Sequence, residues 1–104
     1  MANKGGMAMG KVMDHEEIVV EDIVKALDPV VYNPESGQSA SFAMVCAEGG
    51  AMRYFDDGQN PSASSGVLLE EGDIVELPSI YHIKDFRVIK AGDDAGKIVV
   101  TYES

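Results

Sequence analysis

Residues 41–47 read Ser41-Phe42-Ala43-Met44-Val45-Cys46-Ala47. A strand sends successive side chains to opposite faces. Phe42, Met44 and Cys46 therefore share one face, and Ser41, Ala43, Val45 and Ala47 share the other. Both faces are apolar or small. That pattern predicts a central strand covered on both sides, rather than a surface strand with one wet face. Glu48-Gly49-Gly50 then turns the chain. Ala51–Phe55 returns, with Met52 and Tyr54 on one face and Arg53 and Phe55 on the other. The short glycine turn predicts that the two runs pair as a β-hairpin.

The same punctuation continues outward. Glu16–Val20 is a short β-branched run. In Asp22–Leu27, Ile23, Ala26 and Leu27 fit a helical spacing, which Asp28-Pro29 would stop. Val30–Tyr32 reads as extended and leads into the turn Asn33-Pro34-Glu35-Ser36-Gly37. Val67–Leu69, Ile74–Leu77, Phe86–Lys90 and Lys97–Tyr102 read as further strands, separated by Glu70-Glu71-Gly72-Asp73 and Gly92-Asp93-Asp94-Ala95-Gly96. Seven or eight short strands and no long helix predict an all-β fold, either an antiparallel β-sandwich or a small barrel.

Composition bounds the function. The chain has 104 residues, a prior for one small domain. Apolar residues make up 45% and charged residues 25%, as in ordinary globular proteins. Eight basic against 18 acidic residues leave a net charge of −10. This argues against nucleic acid as a partner, because phosphate contacts need a basic face. It argues equally against docking on an anionic membrane. A single cysteine, Cys46, excludes an internal disulfide framework. No apolar run approaches the length of about 18 residues that marks a membrane span.

Charge is unevenly placed. Met1–Val12 is small, glycine-rich and carries only Lys4 and Lys11 as charges, and we read it as a flexible N-terminal arm. Residues 13–36 hold seven acids against the single Lys25. An arm of one sign beside a block of the other can reach an acidic neighbour in an assembly. The single domain is then 13–104.

Catalytic constellations are absent from the pattern. His15 and His82 belong to no HxH or HExxH group, and zinc wants three or four ligands. Cys46 reads as a small buried hydrophobe. Asp56-Asp57-Gly58-Gln59-Asn60 lacks the glycine and glutamate spacing of a calcium loop and reads as a tight turn. It opens the longest irregular stretch, Asp56–Gly66, and long loops often carry function. Gly72-Asp73, Pro78 and His82 resemble the second motif of the cupins. The glycine after the proline is missing, the histidine comes one place early, and no HxH precedes it. His82 is read instead as a partly exposed strand-edge residue. No catalytic, cofactor-binding or metal-ligating residue is assigned.

The stretch from Ala51 to Tyr102 carries an ordered series: Arg53-Tyr54, then Asp57-Gly58-Gln59-Asn60-Pro61, Gly66, Leu68-Leu69, Gly72-Asp73, Phe86-Arg87-Val88-Ile89 and Val100-Thr101-Tyr102. This resembles a family of small virion structural proteins of tailed bacteriophages and prophages. Phe55 and Ser62 stand where that family has arginine and threonine. The resemblance implies a non-enzymatic virion protein, made in the host bacterial cytoplasm. Its role would be to decorate or cement the capsid, with the major capsid protein as partner and a homo-dimer or homo-trimer as the unit. A tail, fibre or head–tail junction component is the alternative within that class, and a cupin-like small-molecule or sugar-binding module is the alternative outside it. On these expectations Lys4, Lys11, Phe55, Asp57, Asn60, Ile80 and Tyr81 are the candidate partner-binding residues.

Overall fold

The computed structural model describes residues 11–35 and 37–104. Eight strands form two four-stranded antiparallel sheets. The first sheet contains β1 (Val12–Val20), β3 (Phe42–Gly49), β6 (Ile74–Leu77) and β8 (Gly96–Glu103), in the order β1-β8-β3-β6. The second contains β2 (Lys25–Ala26), β4 (Met52–Phe55), β5 (Val67–Leu69) and β7 (Arg87–Lys90), in the order β2-β7-β4-β5. Two short helices interrupt them, α1 (Pro29–Tyr32) and α2 (Ile80–Asp85).

One core joins the sheets. The first sheet contributes Val20, Ala43, Val45, Ala47, Leu77, Ile98, Val100 and Tyr102, and the second contributes Met52, Leu69 and Val88. Leu27, Tyr32, Ile83 and Phe86 close it from the connections and helices. Each larger side chain stabilises the fold by about 1.5–3 kcal/mol through burial.

β3 is central, as its composition predicts, pairing with β8 on one side and β6 on the other. Among the described residues, burial is complete on one face only: Ala43, Val45 and Ala47 are fully buried, whereas Phe42, Met44 and Cys46 are half-buried. Cys46 therefore sits on the outer face and not in the core.

The expected hairpin does not form. β3 and β4 lie in different sheets, and Glu48-Gly49-Gly50 carries the chain across the sandwich instead of back along it. The crossing is held by Gly50 N–H donating to the Ala95 carbonyl at 3.2 Å. Only glycine fits there, because a Cβ on Gly50 would stand 2.1 Å from the Asp94 carbonyl oxygen.

Three further expectations are corrected. Asp22–Leu27 is not helical and holds β2. Val30–Tyr32 is not extended: Asp28 caps α1, its side chain accepting from Val30 N–H at 3.0 Å, with Pro29 in the first turn. His82 lies in α2 rather than at a strand edge, where Ser79 Oγ caps the helix and meets His82 Nδ1 at 2.8 Å. The arm's boundary also moves. Val12 belongs to β1, and the Lys11 carbonyl accepts from Ser104 N–H, so residues 11 and 12 belong to the folded body. Residues 1–10, Lys4 among them, lie outside the described residues.

Candidate interaction surfaces

The loop 56–66 is strapped to the second sheet. From β4, Arg53 donates through Nε to the Ala63 carbonyl at 3.1 Å and through Nη1 to the Gly66 carbonyl at 2.8 Å. Ser62 and Ser65 exchange backbone hydrogen bonds, and Pro61 is buried. Gly66 has a φ of +132°, and a Cβ there would press on Pro61, Arg53 and the Tyr54 carbonyl. At the loop's start, Asp57 accepts from the backbone and side-chain nitrogens of Gln59 at 3.1 and 2.9 Å. Gly58 N–H donates to the Asp85 carbonyl at 3.1 Å, which ties the loop to the end of α2.

This tie joins the loop to the C-terminal end of α2, whose N-terminal end carries Ile80 and Tyr81. Phe55, half-buried, adjoins that C-terminal end through its pairing with Arg87. Tyr81 is 71% exposed, while Ile80 packs against the core. Lys11 is exposed but sits apart, at the start of β1 beside the C-terminus. Of these residues only Tyr81 is a large apolar side chain open to solvent.

Many residues of the ordered series have structural work in the fold. Tyr54 stacks on Phe86 with ring centroids 5.5 Å apart, and burial raises its phenol pKa. Gly72 turns with φ +91°, and Asp73 closes that turn by accepting from Glu70 N–H at 2.8 Å. Leu69 and Val88 are core residues. Arg87 donates to the Lys84 and Phe86 carbonyls. Tyr102 is buried and donates its hydroxyl to Glu16 Oε1 at 2.6 Å, and burial, then that bond, pushes its pKa far above the ordinary tyrosine value. The series is thus a folding signature: turns, pins and core.

His15 Nδ1 lies 3.2 Å from Thr101 Oγ1, and His82 is engaged by Ser79. Among the described residues, no group of three His, Cys, Asp or Glu side chains is gathered to hold a metal. Two of the shallow depressions among the described residues bear on ligand binding. One is lined by Pro29, Val30, Asn33, Pro34 and Glu35, the other by Glu48, Gly49, Glu71, Ala95, Gly96 and Lys97. Neither has an aromatic wall on which a sugar ring could stack.

The surface that sequence reasoning missed is the outer face of the first sheet. Register places Glu17, Val99, Cys46 and Ile74 in one row across all four strands. The next row is His15, Thr101, Met44 and Glu76. Ile74 is 58% exposed, and Phe42, Met44, Cys46 and Val99 are half-buried. Lys97 on this face pairs with Glu17 at 3.1 Å and Glu48 at 3.6 Å, and these carboxylates raise its pKa. The signal was present in the doubly apolar pattern of residues 41–47. What it could not show was that one of the two faces would stay open.

Comparison with protein-family models, with curated proteins and with solved structures finds no match in any of the three.

Proposed function

We propose that the protein is a non-enzymatic structural component of a bacteriophage virion that decorates or cements the capsid shell. The reading is carried by the ordered series from Arg53-Tyr54 to Val100-Thr101-Tyr102 and its resemblance to small virion proteins. The two-sheet fold suits it, since those residues serve turns and core and leave whole surfaces available for contact. A net charge of −10 keeps unassembled subunits apart before they load on a shell. The partner is the major capsid protein, and the unit that binds is a homo-oligomer on a local symmetry axis.

Quantitative mass spectrometry of purified particles tests this. A shell-wide decoration protein is present in a simple ratio to the major capsid protein. A count of a few copies per particle moves the protein to a tail, fibre or junction. Its absence from particles overturns the virion reading.

A further inference from the structure

An antiparallel sheet with one face in water normally alternates to polar residues on that face. The first sheet's central strand β3 does not follow this rule over Phe42–Cys46. Phe42, Met44 and Cys46 run along central β3, and Val99 and Ile74 flank Cys46 in register. This band crosses the middle of an open face. Such contiguous apolar surface, rimmed by polar groups, marks interaction sites.

The rim is net negative, three glutamates against Lys97. Glu17, Glu48 and Glu76 share this face with the band. Lys97 is already engaged by Glu17 and Glu48. A second copy placed face to face would set acid against acid, and like charges opposed across an interface work against association. A basic rim on the other side would instead speed encounter and fix register.

We propose that the outer face of the β1-β8-β3-β6 sheet is the surface by which this protein docks on a protein partner that presents an apolar ridge flanked by lysine or arginine side chains. This names the contact surface of the virion reading and rests on that reading. The partner's ridge covers Val99, Cys46 and Ile74. Its basic groups meet Glu17 and Glu76. The loop 56–66 stays outside the contact, consistent with its being bonded to its own sheet.

Cys46, the single thiol of the chain, reports on the centre of this face. The experiment compares iodoacetamide alkylation of Cys46 in the unbound protein and in the protein loaded on purified capsids assembled without it. Loading should slow alkylation by about tenfold or more. Ile74→Asn and Glu76→Lys, both at exposed positions of a short edge strand, should keep the wild-type urea midpoint and load about tenfold more weakly. Val67→Asn, exposed on the edge strand of the other sheet, should load as wild type. If wild-type protein loads but Cys46 reacts at its unbound rate, or both variants load normally, the face is wrong and the virion reading stands. Failure of wild-type protein to load at all removes both. A concentration-dependent dimer that protects Cys46 in solution overturns the partner's chemistry in favour of a second copy.

Discussion

On the inner face of β3, Ala43, Val45 and Ala47 are fully buried, while on its outer face Cys46 and the strand's largest side chains, Phe42 and Met44, are only half-buried. The largest side chains are not the most buried. The inner positions are small in a core that also holds Tyr102, Met52 and Phe86, and close packing leaves little volume for more. The outer positions face no such crowd. The comparison separates two settings for apolar residues in one strand. One face is apolar because the fold needs it. The other is apolar although the described residues leave it only half-buried.

The sharpest way to break that comparison is to charge neighbouring positions of β8. Val100 is buried at 0% exposure and Val99 lies on the outer face. Val100→Asp should cost more than about 4 kcal/mol, because a carboxylate without a partner enters the core. Val99→Asp should cost about 1 kcal/mol, from strand propensity and the nearby Glu17. Urea unfolding of both variants measures the gap. Equal costs would mean that the outer face also supports the fold.

The crossing between sheets comes next. Gly50→Ala forces a Cβ onto the Asp94 carbonyl, which is backbone and cannot rotate away. A loss of about 2–3 kcal/mol is expected, within the range for overpacking. Thermal unfolding reads it. An unchanged midpoint would mean that the crossing is loosely held, and with it the separation of β3 and β4 into two sheets.

That crossing also shows what was legible and what was not. Alternation in residues 41–47 and 97–102 was enough to place β3 and β8, because period two survives any topology. Partnership was not legible. A glycine turn between two strands looks the same whether it closes a hairpin or changes sheets, and the contacts that decide come from Asp94 and Ala95, far along the chain. The helices failed for a different reason. Asp28-Pro29 was taken as a stop, although aspartate followed by proline is equally a start signal. Of the apolar candidates for partner binding, Tyr81 is exposed, whereas Phe55 and Ile80 are half-buried. The open face was missed because central and covered on both sides were treated as one property. β3 has the first without the second.

A smaller effect probes the contrast between the strapped loop and the open face. Arg53→Ala removes two hydrogen bonds to the carbonyls of Ala63 and Gly66. About 1–2 kcal/mol should be lost, and proteolysis should shift to the segment 56–66. Mapping the first cleavage site by mass spectrometry decides this. A loop that stays resistant would mean that Pro61 and the Ser62–Ser65 bridge hold it without the arginine.

The smallest effect concerns the inner face at its polar end. Tyr102 donates to Glu16, whose Oε1 also lies 3.4 Å from Asp28 N. Tyr102→Phe should cost about 1 kcal/mol at neutral pH, the typical net value of one hydrogen bond. The pH dependence identifies the cause. The folded-state pKa of Tyr102 lies above its unfolded value of 10.0, so the folded state holds the phenolic proton more tightly. The stabilisation is therefore complete below pH 10 and declines as pH rises from there towards the folded value. A phenylalanine has no such proton. The two unfolding curves should lie apart at pH 7 and pH 9 and converge above pH 10. Tyr32 and Tyr54, whose pKa values burial also raises, are present in both proteins and cancel in the difference. A gap that stays constant across this range would mean that the hydroxyl contributes by packing alone, with no proton held between the core and its acidic edge.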